Sequence, residues 1–335
     1  MMARTASSQS TPRTRARTAA TVAVLVAALA AVVVLALGIG AVQVPPGDVV
    51  ARLVGGDNLI WKYRLPRILV GAIAGVGMAV AGCLLQVGLR NPLAAPDTVG
   101  ITAGGGLAAV AALLGAGALP AQALTPVAFA GALIGAGVVL ALAGRGIGDP
   151  VRLALTGVAV SVGLAAATQL LLVRAAPEAG AAMTWLKGSL YARTLSDAAV
   201  VAPIVAFGLV AALIVSRHLD ALRLGDAVMA GIGVAPVRWR VVAVVLAVAC
   251  GSGAVAAAGV LGFAGLIVPH AARLLVGGPL SRQIPVAAML GATLVVGCDA
   301  VGRWLFAPTE IPVGALIAIV GAPYFVFLLL RLTKV

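Results

Sequence analysis

Long uncharged apolar runs alternate along the chain with short segments that hold nearly all of its charge. No Lys, Arg, Asp or Glu stands between Asp97 and Arg145, and the 32 residues between Arg240 and Arg273 are likewise uncharged. A helix of about 20 apolar residues crosses the roughly 30 Å hydrocarbon core of a bilayer. Counted on that length, the pattern predicts ten spans near 19–41, 67–89, 98–119, 122–143, 152–173, 197–216, 238–256, 259–276, 284–302 and 311–330. The runs are continuous and lack the strict alternation of a lipid-facing barrel strand, so they predict helices. The expected fold class is therefore all-α, a polytopic membrane protein of about ten transmembrane helices. Leu119-Pro120-Ala121-Gln122 and Pro126 split the first uncharged stretch into two helices. The second stretch is too long for one span and tight for two, and Gly251, Gly253, Gly259, Gly262 and Gly265 offer places to turn.

Composition narrows the function classes. With 62 % of its 335 residues apolar, 10 % charged and a mean hydropathy of +1.15, the chain could not bury itself in one soluble core. Small residues spaced four apart, Gly71 with Gly75 and Gly131 with Gly135, suit close helix packing in lipid. The net charge of +13 comes mostly from Arg scattered through short loops, with no basic domain, so no nucleic-acid partner is expected. Positive-inside topology explains it better. With the N-terminus inside, inner segments hold 15 of the 23 basic residues and outer segments 8. This predicts a multi-pass protein of the cell membrane with both termini cytoplasmic, and leaves a basic excess outside near Lys62 to Arg67. Residues 1–17 read as a disordered cytoplasmic tail, and 18–335 as one ten-helix membrane domain with an inner loop at 217–240. The run from Thr18 to Ala41 exceeds a signal-peptide core, so it reads as a retained first helix.

Several chemistries are missing. No Gly-x-x-x-x-Gly-Lys-Ser/Thr phosphate loop occurs, and none of the three lysines (Lys62, Lys187, Lys334) follows glycine. Two histidines, His218 and His270, and three unpaired-looking cysteines, Cys83, Cys250 and Cys298, make a metal or haem site improbable, so no catalytic residue, metal or cofactor is expected. A proton-coupled carrier needs acids at mid-membrane. Only Asp299 lies well inside a predicted span, and Arg303, one turn later, could pair with it.

One ordered set of motifs is far more specific. Arg64-Leu65-Pro66-Arg67 opens span two. Ala81-Gly82-Cys83-Leu84-Leu85-Gln86 ends it, followed by Arg90-Asn91-Pro92-Leu93-Ala94-Ala95-Pro96-Asp97 and Gly100-Ile101-Thr102. Leu224 to Val234 lies in the inner loop. Gly262-Phe263-Ala264-Gly265 through Pro269-His270-Ala271-Ala272-Arg273, Glu310-Ile311-Pro312-Val313-Gly314 and Gly321-Ala322-Pro323-Tyr324-Phe325 close the series. Over about Pro45 to Leu332 this resembles the FecCD/BtuC-type permease subunits of ABC importers for iron–siderophore complexes and vitamin B12. Ala95 stands where that family usually has an acid, and Ala271 where it has a larger aliphatic residue.

The resemblance implies the type II ABC importer permease fold, with two permease subunits, identical or paralogous, around one pathway. It also implies two cytoplasmic ATPase subunits and a substrate-binding lipoprotein or periplasmic binding protein. The chain would be no enzyme; it would pass a ferric siderophore, with cobalamin or haem as the nearest alternatives and an ATP-independent secondary carrier or channel as the rival from another class. Arg64, Arg67 and Arg303 are expected to meet acidic residues of the binding protein at the outer rim. Leu224, Gly225, Asp226, Ala227, Gly231 and Gly233 are expected to form the helix that couples to the ATPase. The path and its gate are assigned to Asn91, Pro92, Gly100, Thr102, Thr156, Ser161, Thr168, Pro269, His270, Asp299, Glu310 and Pro312, with Asn91 and Pro92 also able to fix the turn after span two.

Overall fold

The computed structural model describes residues 12–40, 42–115, 123–175, 179–307 and 309–332. Among them there is no strand. The helices are α1 (Pro12–Gly38), α2 (Pro46–Val54), α3 (Leu65–Gly88), α4 (Ile101–Gly115), α5 (Leu124–Ala143), α6 (Pro150–Arg174), α7 (Ala179–Leu186), α8 (Leu195–Ala221), α9 (Asp226–Gly231), α10 (Pro236–Ala258), α11 (Ala264–Val276), α12 (Leu280–Leu305) and α13 (Val313–Leu332). A π-helical turn, Leu59–Arg64, runs into α3. Seven helical stretches are long and apolar enough to cross a membrane, in α1, α3, α5, α6, α8, α10 and α12; α4, α11 and α13 supply three shorter apolar helices. Together these occupy the ten positions that the hydropathy pattern predicts. Residues 1–11 of the expected tail, and 116–122 with the expected break at Pro120, lie outside the described residues. Pro12 to Arg17, also assigned to the tail, form the first turns of α1.

Burial orders the bundle. In the most apolar window of α3 and of α10, 78 % of residues are buried, against 17 % in α1 and in α6. α3 and α10 are therefore the central pair, and α1 and α6 are peripheral. Contact is close because glycines meet: a Cβ on Gly75 of α3 would lie 2.2 Å from the Gly291 carbonyl oxygen of α12. In lipid, where no hydrophobic force separates helix from solvent, such backbone approach is what holds helices together.

Two helices stop short. At about 1.5 Å per residue, the 15 residues of α4 and the 13 of α11 reach only about 22 and 20 Å, less than the roughly 30 Å core. The rest of each crossing is irregular backbone: 91–100, with a 3-10 turn at Pro96–Val99, and 259–263, bounded by left-handed Gly259 and Phe263. Irregular backbone at membrane depth survives only where protein covers it or a cavity faces it. The short elements α2 and α7 lie at one end of the bundle, with the α12–α13 connection; α9 and the α5–α6 connection lie at the other. These are called the α2 end and the α9 end below.

Candidate translocation and coupling site

The first irregular segment lies against the middle of α6. The Ser161 hydroxyl donates to the Asp97 carbonyl oxygen at 2.9 Å, and a Cβ on Gly157 would lie 1.9 Å from the Thr98 carbonyl oxygen. Gly100 then turns the chain into α4 with φ +77°. A cavity of about 390 Å³ opens beside this contact, lined by Asp97, Thr102, Ser161, Thr168, Gln169 and apolar neighbours from α4 and α6. Its hydroxyls are largely spent inside the protein: Thr168 donates to Leu164 O at 2.9 Å, and Thr102 hydrogen-bonds the Asp97 carboxyl. Thr156 bonds back to Arg152 O at 2.8 Å and does not line the cavity. Asn91 closes the turn after α3, its side-chain oxygen accepting from Leu93 N at 2.9 Å, while Pro92 is exposed beside it. Asp97 belongs to the Asn91 to Thr102 stretch expected along the path, but the sequence pattern did not mark it as an acid at depth. Asp299 is not alone among acids at depth, because the short α4 draws Asp97 inward to the level of Ser161.

At the α2 end the three arginines expected on the rim are instead engaged within the chain. Arg64 is 5 % exposed and donates to the carbonyl oxygens of Leu37 and Val42. Arg303 is 6 % exposed and donates to Ala36 O and Ile39 O, and through Nε to Asp299 at 3.0 Å. Arg67 forks onto Asp299 at 2.7–3.0 Å and reaches Glu310 at 2.8 Å. The physical reason is the C-terminus of α1. Its last carbonyls have no helical partner, and buried beside α12 they must find donors; the two arginines supply them and also favour the negative end of the helix dipole. Asp299 then balances two guanidinium groups. The free rim charges expected of Arg64, Arg67 and Arg303 are thus withdrawn into the protein. A cavity of about 230 Å³ beside them is lined by Arg67, Thr184, Tyr191, Glu310 and Pro312 among others. Exposed cations at this end include Arg52, which pairs with Asp57 at 3.3 Å, and Lys62, Arg174 and Lys187, for which the described residues show no ion pair.

At the α9 end, Leu222 and Met229 are fully buried, while Leu224, Val228 and Ile232, four residues apart, are more than half exposed. Gly225 (φ +92°) and Gly233 (φ +78°) bracket α9 in conformations that favour glycine. Ala227 stands in its first turn. Around Gly231 there is open space: a Cβ there meets nothing of this chain within 4 Å. Asp226 accepts from buried Arg240 at 2.8 and 3.1 Å and faces Arg90 at 3.4 Å. Pro269 is buried in α11, and His270 stands edge-on to Tyr324 of α13, ring centroids 6.1 Å apart. These two lie apart from the Asp97 cavity lining.

The sequence matches the FecCD transport family over residues 27–331. It is 41 % identical over 302 residues to the Fe(3+)-citrate import system permease protein YfmE of Bacillus subtilis, covering 88 % of this chain and 90 % of that one. It is 40 % identical over 301 residues to the Fe(3+) dicitrate transport system permease protein FecD of Escherichia coli, covering 89 % and 94 %. A solved inward-facing structure, assigned to the metal-chelate type of ABC transporter, superposes with a TM-score of 0.82 at 26 % identity, over 94 % of this chain and 99 % of that one.

Proposed function

The chain belongs to the FecCD transport family, and from that premise we propose that it is the permease subunit of an ABC importer carrying ferric citrate or a related ferric siderophore. Hydrolysis of ATP falls to separate subunits, consistent with a sequence that has no phosphate-binding loop. The α9 end is read as cytoplasmic, because among the described residues 13 of 21 basic residues belong to segments on that side. A second permease subunit pairs across the exposed face of α6, where Leu155, Val162 and Val173 are more than 60 % exposed and the Asp97 cavity opens nearby. Two ATPases dock at the α9 end and a binding protein at the α2 end.

The observation that carries this reading is α9. A six-residue helix outside the apolar spans, with the turns that flank it, leaves Leu224, Val228 and Ile232 more than half exposed, yet is anchored through Leu222, Met229 and Asp226. Apolar side chains exposed beyond the bilayer mark a protein interface. An anchored knob of this kind passes motion from an ATPase groove into the bundle. The path it opens binds cargo weakly, since Ser161 and Thr168 already satisfy their hydroxyls internally and leave mainly Asp97 and Gln169 as polar wall. A conduit with few fixed contacts releases what a binding protein has already selected. At the α2 end, Arg64, Arg67 and Arg303 serve docking by fixing the loops that the binding protein meets, while Lys62 and Lys187 present the free charge.

The test is reconstitution. Vesicles holding this chain, its partner permease subunit, its ATPase and its binding protein should accumulate iron from ferric citrate only with ATP present. Uphill uptake by the chain alone on an ion gradient would overturn the proposal. Gly231→Trp sharpens it: the bulk meets open space in this chain, so thermal stability should hold, while ATP-driven uptake falls at least tenfold. Unimpaired uptake would remove α9 from the ATPase contact.

A further inference from the structure

Arg240, in the second turn of α10, is a fully buried arginine (0 % exposed), the largest side chain so enclosed among the described residues. An arginine carries five N–H donors and is never neutral, so burial demands acceptors in a fixed array. The structure supplies them from three elements. Nε donates to Gly88 O at 3.0 Å, at the last residue of α3. One terminal nitrogen donates to Gly148 O, in the connection between α5 and α6. The other forks onto Asp226, the first residue of α9. Gly148 directly precedes Asp149, whose carboxylate caps α6 by accepting from Val151 N at 2.9 Å. One planar group therefore joins α9, the start of α6 and the end of α3, and α6 carries the Ser161 face of the cavity.

We infer that Arg240 is the positioning residue that transmits displacement of α9 to α6 and α3. This rests on the reading of α9 as the ATPase contact. A rigid fork suits the task. Bidentate pairing fixes direction as well as distance, whereas the ammonium of lysine is a point charge on a flexible stem. Lysine at 240 keeps the charge and can still meet Asp226, but it cannot hold all three acceptors in one plane. Asp226 faces Arg240 and Arg90 from the first turn of α9, so its partly exposed carboxylate serves the link.

The experiment uses the assembled importer in vesicles, with Cys83, Cys250 and Cys298 replaced, a single reporter thiol at Ala165, where α6 lines the Asp97 cavity, and a water-soluble maleimide probe. ATP with vanadate should change the labelling rate at least threefold when Arg240 is intact. Arg240→Lys and, separately, Asp226→Asn should abolish that response while the ATPase still co-purifies. The double variant should be no worse than Asp226→Asn, which breaks the same link and also the pair with Arg90. If Arg240→Lys does not fold, Asp226→Asn alone decides. An equal response in the variants, or none with Arg240 intact, overturns the inference while leaving α9 as the contact. If Ile232→Asp leaves the ATPase bound at full occupancy, the underlying reading of α9 fails and the inference fails with it.

Discussion

The two ends of the bundle both bury arginine against carbonyl oxygen, but they join different things. At the α2 end, Arg67, Asp299 and Arg303 connect α3 and α12, while Arg64 and Arg303 close the carbonyl end of α1. These three helices have 24, 26 and 27 residues, and Asp299 is 3 % exposed. At the α9 end, Arg240 joins long helices to a helix of six residues through a carboxylate whose side chain is 37 % exposed. The same chemistry acts as a lock where both ends of the pair belong to large packed bodies, and as a lever where one end is small and faces a partner.

The largest effect should come from breaking the lock. Asp299→Asn leaves Arg67 and Arg303 buried without the charge between them, and breaking a buried pair in this way costs about 3–5 kcal/mol. The expected result is little folded protein in the membrane and a sharply lowered thermal midpoint in detergent. Adding Arg303→Met should recover part of the loss by removing one stranded charge. Stability equal to the parent in Asp299→Asn would mean that water reaches this cluster and that it is no lock.

The matching change at the other end should cost less. Asp226→Asn removes half of a pair that solvent already touches, and an unsatisfied partner of that sort costs about 1–3 kcal/mol. Folded protein should persist, and ATP-driven uptake should fall out of proportion to the modest loss of stability. If the two variants lose stability equally, the distinction between lock and lever disappears.

Hydropathy made the ten helix positions legible, because burial of every backbone polar group in lipid leaves a chain this apolar few alternatives. The pairing of Asp299 with Arg303 was legible too, since a spacing of four puts both on one helix face. The partnership of Arg67 with Asp299 was not, for 232 positions separate them and only the fold brings α3 to α12. An arginine at the edge of an apolar run reads the same whether it faces a partner or caps the carbonyl end of another helix. Asp97 stayed hidden for a related reason. It lies just outside an apolar run, and only the shortness of α4 reveals that its segment dips to the depth of Ser161. Arg240 gave no local signal, because its acceptors at Gly88 and Gly148 are backbone atoms.

The smallest effect belongs to the exposed cations, and it separates the roles of the two kinds of basic residue at the α2 end. An exposed charge pair is worth about 0.2–1 kcal/mol, or at most about fivefold in affinity. Lys62→Glu and Lys187→Glu should therefore weaken capture of the binding protein by up to about fivefold at low salt. The difference should vanish toward 1 M salt, where the screening length falls to about 3 Å. Arg64→Gln should behave otherwise. Its guanidinium donates to Leu37 O and Val42 O, so any loss of capture follows from a disturbed loop and persists at high salt. Measured by surface capture of the binding protein across a salt series, a screened loss for the lysines and an unscreened one for Arg64 would separate surface charge from scaffold. A screened loss for Arg64 as well would put its guanidinium back on the rim, and the contrast between the two ends of the bundle would have to be redrawn.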